Sequence, residues 1–223
     1  MARNSSDMGS KALRYGAILM IIGSIEFLAG MTITQLAFPC TVSCYNMLTN
    51  PISDLGNTLA STLWPVFNYS LALFGVIIII SLLLVGNVFG KASLYRLGLL
   101  FVVLAALGSM GVALVPENTI LAVHSDFALI SFWSAGLLML ILGLAMRSRK
   151  EWGLYSAYSI VSGLFSIATL LIFMLPILGV HIVWNTSGPG FGFGGMERLV
   201  VAPLILWLIV IGLRLLRSPI RRS

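Results

Sequence analysis

Residues 120–150 read ILAVHSDFALISFWSAGLLMLILGLAMRSRK. Between Ile120 and Met146 the ionisable side chains are His124 and Asp126, both near the start, and the apolar run closes on Arg147, Arg149 and Lys150. As a helix it rises about 40 Å at roughly 1.5 Å per residue, enough to cross a hydrocarbon core about 30 Å thick. A basic cluster at the end of an apolar span marks the cytoplasmic side.

Working outward, the same test finds five more spans, over residues 15–36, 65–88, 97–114, 155–180 and 197–213; the last is short and starts as early as Met196. The chain has 223 residues, 59% hydrophobic and 9% charged, where a soluble domain carries about 25% charged residues. Its mean hydropathy is +1.04. The expected fold is all-α: a polytopic membrane protein with six transmembrane helices in one antiparallel bundle, a single domain over residues 1–223. The polar start and the length of the first apolar run point to a retained helix rather than a cleaved leader.

Charge placement orients the bundle. Arg3, Lys11, Arg14, Lys91, Arg96, Arg147, Arg149, Lys150, Arg214, Arg217, Arg221 and Arg222 all fall on one side of these spans, with Arg198 the exception among 13 basic residues. Both termini are therefore expected in the cytoplasm, in a plasma membrane. The net charge of +6 follows from these inner segments and calls for no nucleic acid.

The inner connections are short, whereas the outer loops 37–64 and 181–196 are longer than helix closure requires, which makes them the expected seat of function. Ser61 or Thr62 can cap the second helix, with Pro65 in its first turn, and Asn118 or Thr119 the fourth. Pro176 is expected to kink or end the fifth helix early.

The outer side gathers Asp54, Glu117, His124, Asp126, His181, Glu197 and Arg198. His124 and Asp126 stand about 200° apart on an ideal helix and do not face one small site, whereas His124 shares a face with Ser131. Each of these polar residues also has a plain structural reading, as a satisfied core histidine or as turn chemistry around Ser53 and Asp54. Asp54, His124, Asp126 and Glu197 are the candidate catalytic groups; Arg198, Glu117, His181 and Ser53 are the candidate ligand contacts. Gly190, Gly192 and Gly195 fit a dinucleotide fingerprint in form, but no strand precedes them. Backbone amides at that helix start, with Arg198, could hold a lipid phosphate; the alternative is Arg198 paired with Asp54 or Glu117. Asn185-Thr186-Ser187 forms a glycosylation sequon.

Glu26 lies near mid-membrane, where a carboxylate costs about 3 kcal/mol. It is expected to be neutral and bonded to a Ser, Thr or Tyr across the bundle. Cys40 and Cys44 form a disulfide, remain free thiols or bind metal; the disulfide is favoured. The sequence has no H-x3-H or H-E-x-x-H pair, so no metal and no cofactor is assigned.

The stretch Asn50-Pro51-Ile52-Ser53-Asp54-Leu55-Gly56, the Pro116-Glu117 turn before His124-Ser125-Asp126, and Met196-Glu197-Arg198 opening the last helix together resemble the archaeal membrane family catalogued as domain of unknown function 998. The Ile52–Gly56 stretch is also similar to the start of the DRAM/Sfk-type membrane family. The resemblance implies six helices and an archaeal plasma membrane, with no activity attached, and lipid handling in the distant relatives. The expected function is binding or organising lipid through the outer polar site. A lipid-directed hydrolase or transferase and a structural subunit are the alternatives. Membrane lipids are the expected partners, with a homo-oligomer or a larger membrane complex left open.

Overall fold

The structure, a computed structural model, describes residues 2–40, 44–176, 178–185 and 190–217, with the side chains of 2–8 and 87 excepted. The sequon's Thr186 and Ser187, the Arg3 side chain, and Arg221 and Arg222 lie outside the described residues.

Six helices carry the fold: α1 (Ala2–Leu36), α2 (Trp64–Val85), α3 (Ala92–Leu114), α4 (Leu121–Met146), α5 (Gly153–Phe173) and α6 (Phe193–Arg217). All are long and apolar enough to cross a membrane, and the chain is a multi-pass membrane protein. Each helix packs against its sequence neighbours, and α6 closes the ring against α1. Helix directions alternate: Gly16, early in α1, meets Ser81 and Val85, late in α2, and Gly212, late in α6, meets Ala17 of α1. The start of α1 and the end of α6 therefore share one end of the bundle with the α2–α3 and α4–α5 turns. The long loops share the other.

Lipid offers no hydrophobic drive between helices, so small residues and interhelical hydrogen bonds must supply the cohesion. A Cβ on Gly163 of α5 would sit 2.7 Å from Leu140 N and 2.8 Å from Gly136 O of α4. A Cβ on Gly108 of α3 would sit 2.6 Å from Ser131 N of α4. At both points helix backbones touch. Ser156 donates to Gly143 O at 2.7 Å, Ser166 to Val200 O at 2.9 Å, and the buried Trp207 Nε1 to Ser159 Oγ at 2.7 Å. Glu26 finds the kind of partner expected: Ser70 Oγ on α2 donates to its Oε1 at 2.6 Å, while Oε2 is buried with no partner among the described residues.

Three boundaries differ from expectation. The fifth helix ends at Phe173, not near residue 180, because Pro176 offers no amide and disfavours helix at the residue before it. The sixth begins at Phe193, earlier than residue 197, and runs on to Arg217. Helix starts also use no side-chain caps: Leu63 and Ile120 occupy the cap positions of α2 and α4. Asn118 instead reaches across to the first long loop, accepting Thr58 N–H at 3.0 Å and donating to Thr58 Oγ1 at 2.9 Å.

Candidate functional site

The first long loop is held from inside by its own turn chemistry. Asn46 N–H donates to Asn50 Oδ1 at 2.9 Å, Asn50 Nδ2 donates to Asp54 Oδ2 at 3.1 Å, and Ser53–Gly56 closes into one 3-10 turn. Cys40 and Cys44 form a disulfide at the loop's entry. This compact turn is bolted at two points distant in sequence, the start of α6 and the α3–α4 turn.

The first bolt is the start of α6. The amides of Gly192 and Gly195 donate to Leu48 O at 2.9 and 2.8 Å, and that of Gly194 to Thr49 O at 3.1 Å. A Cβ on Gly194 would collide with the Asn50 carbonyl, so only glycine admits this approach. Arg198 Nη1 donates to Asn50 O at 3.1 Å and Gly194 O at 3.0 Å, and its Nη2 donates to Tyr45 Oη at 2.6 Å. The Tyr45 hydroxyl passes its own proton to Pro51 O at 2.8 Å. Of the two readings of this helix start, the geometry matches a clasp: its amides donate to loop carbonyls and Arg198 to Asn50 O, Gly194 O and Tyr45 Oη. Arg198 forms no ion pair with Asp54 or Glu117. Its charge is stabilised by carbonyl dipoles.

The second bolt is Glu117 in the α3–α4 turn. Ser53 Oγ donates to its Oε2 at 2.7 Å and Asn57 Nδ2 to its Oε1 at 3.4 Å. Burial, then the neighbouring Glu117 carboxyl, push Asp54 up from 3.8 to about 8, with Asn50 opposing. Burial likewise raises the Tyr45 phenol, with Arg198 opposing.

Beneath the loop lies a cavity of about 50 Å³ between α2, α3, α4 and α6, with room for roughly three or four waters. Its apolar lining is Phe67, Leu71, Val112, Ala128 and Phe132; its polar lining is Ser53, Ser109, His124, Ser131 and Glu197. Glu197 is 8% exposed and His124 6% exposed. Ile52 N–H donates to Glu197 Oε2 at 2.5 Å, joining residues 145 apart in sequence. His124 Nδ1 lies 2.7 Å from Val115 O. A carbonyl can only accept, so Nδ1 carries the proton and, in the neutral ring, Nε2 is left as an acceptor.

The cavity thus unites Ser53, His124 and Glu197, and places Ser131 on the His124 face as its spacing requires. Asp54 of the first long loop and Glu117 of the α3–α4 turn stand behind them. Two candidates fall outside: Asp126 is on the exposed face of α4, turned from His124 by the helical rotation, and His181 is exposed on the second loop. Tyr45, Asn50 and Ser109 were not singled out from the sequence. A tyrosine and an asparagine in an outer loop, or one serine in an apolar helix, carry no signal until their contacts are known. Among the described residues, no three His, Cys, Asp or Glu side chains assemble as a metal site.

Fold and site define the class: a six-helix integral membrane protein with a partly polar cavity at the end opposite its described basic residues other than Arg198. The chain belongs to the family described as "Protein of unknown function (DUF998)", whose model matches residues 21–214. No curated protein and no solved structure matches it.

Proposed function

We propose that this chain binds the polar end of an amphiphile, a membrane lipid or lipid-linked molecule, in the cavity beneath residues 50–57. The observation that carries this is the mixed lining: a nearly buried His124 and Glu197 face a space also lined by Phe67, Leu71, Val112 and Phe132. A cavity that offers both polar groups and apolar surface suits a molecule that carries both. The positive-inside distribution supports cytoplasmic termini and a cavity near the outer leaflet of a plasma membrane. The likeness of the Ile52–Gly56 stretch to the DRAM/Sfk-type family adds weight to lipid as the ligand.

One observation favours hydrolysis as a second reading: His124 Nε2 borders the cavity, where it can take a proton from water. Against a serine nucleophile, the Ser53 hydroxyl donates its hydrogen bond to Glu117 and not to His124. Binding is therefore the better supported role.

The test is native mass spectrometry of protein extracted in mild detergent. Ala128→Phe fills the cavity from α4, and Ser131→Leu does so from the same face. Wild type is expected to carry a lipid-mass adduct that both variants lose. Equal adducts on all three proteins, or none on wild type, overturn the proposal.

A further inference from the structure

The cavity's side chains are already committed as donors. Ser53 gives its hydroxyl proton to Glu117 Oε2, Ser109 gives its to Ala106 O at 2.9 Å, and Ser131 gives its to Ala105 O at 3.0 Å. His124 gives its Nδ1 proton to Val115 O. What remains on the polar lining residues is lone pairs: three hydroxyl oxygens, His124 Nε2 and Glu197 Oε1. Among the described residues no hydrogen bond reaches Nε2 or Oε1, although both belong to side chains more than nine-tenths buried. Arg198 spends three of its N–H donors on Asn50, Gly194 and Tyr45 and is not among the residues that line the cavity.

A lining of acceptors selects its occupant. A phosphate or carboxylate would set oxygen lone pairs against oxygen lone pairs beside Glu197. A quaternary ammonium brings charge without N–H donors and leaves the acceptors unsatisfied. A hydroxyl brings one donor. A primary ammonium brings three donors and the opposite charge, in a volume that fits the room of a few waters.

We propose that this cavity is a primary-ammonium site, binding an R–NH3+ group on Glu197 Oε1, His124 Nε2 and the serine oxygens of Ser53, Ser109 and Ser131. This rests on the amphiphile reading for the tail, and supplies the chemistry of the head.

The experiment titrates purified full-length protein with a head-group series on one dodecyl tail, each below its micellar concentration: dodecylammonium, dodecyltrimethylammonium, dodecanol and dodecyl phosphate, with methylammonium as the tail-less arm. Dodecylammonium is expected to bind at least about tenfold more tightly than the other three tailed probes, a factor that one unmade charge-assisted hydrogen bond would account for. In Glu197→Gln, whose amide oxygen can keep the Ile52 bond, that preference should fall to within about threefold while dodecanol binding stays. Equal or tighter binding of the phosphate or trimethylammonium probe overturns the proposal in wild type, with no variant needed. An undiminished ammonium preference in Glu197→Gln overturns it as well. Methylammonium binding as tightly as dodecylammonium keeps the ammonium site and removes the amphiphile reading. Binding of every tailed probe alike does the reverse. Binding of none removes both.

Discussion

Replacing Arg198 by Ala should undock the first long loop from α6 without unfolding the bundle. The side chain makes three hydrogen bonds, to Asn50 O, Gly194 O and Tyr45 Oη, at 3.1, 3.0 and 2.6 Å, and its guanidinium lies 5.7 Å from the Tyr45 ring centre. Hydrogen bonds to charged groups contribute about 1.5–3 kcal/mol each when buried. Arg198 is only part-buried, so about 1 kcal/mol each is the better figure, or about 3 kcal/mol together. That corresponds to roughly a hundredfold change in the docking equilibrium. The direct reporters are the amides of Gly192, Gly194 and Gly195, which donate to Leu48 and Thr49. Hydrogen exchange followed by mass spectrometry should show these amides exchanging about a hundredfold faster in the variant, with α3 and α4 unchanged. Arg198→Lys should recover about a third of the protection, because one ammonium does not span the three acceptors. Wild-type exchange at 192–195 in Arg198→Ala would refute the reasoning and assign loop docking to the glycine amides and the Glu197–Ile52 bond.

Asp54 makes stability depend on pH. Its folded value near 8 lies above the ordinary 3.8, so the folded chain holds the extra proton between those values; the stabilisation is complete below about 4 and is lost as pH rises through about 8. The melting temperature should fall from pH 5 to pH 8 in wild type and do so less in Asp54→Asn, and an identical slope in the two proteins would count against a proton held on Asp54. Gly163→Val forces apart the α4–α5 backbones at Leu140 and Gly136 and should cost about 1–3 kcal/mol, read as a loss of thermal stability; an unchanged melting point would mean the two helices part freely there. The Cys40–Cys44 disulfide closes a short ring, so Cys40→Ser with Cys44→Ser should cost about 2 kcal/mol at most. A larger loss in chemical denaturation would mean the disulfide positions the docked loop.

Much of the fold was legible in the sequence because the bilayer leaves few choices. A run such as 120–146 with Arg147 behind it has one stable form in lipid, a helix crossing it, and Pro176 carries its warning about helix five in its own ring. Cap signals were less dependable: Asn118 stands where a cap belongs, yet its amide serves Thr58 some 60 residues away. Arg198 was legible as an exceptional residue and not as a structural one. An arginine beside glycines at a helix start reads equally as an anion site or as a clasp, and the difference lies in whether another segment's carbonyls arrive first.

The sequence by itself determined the six apolar segments, their alternation, the basic side, and the opposed directions of His124 and Asp126 on α4, since all follow from chain-local length, charge and the 100° step of a helix. The tertiary structure alone decided that Ser53, His124 and Glu197 share a cavity, that Asp54 and Glu117 back it, and that Arg198 is sealed into the loop. Helices that are apolar on nearly every side carry no periodic signal of which face turns inward. Their rotation is settled where backbones touch, at positions such as Gly108 and Gly163, and the site exists only once that rotation is set.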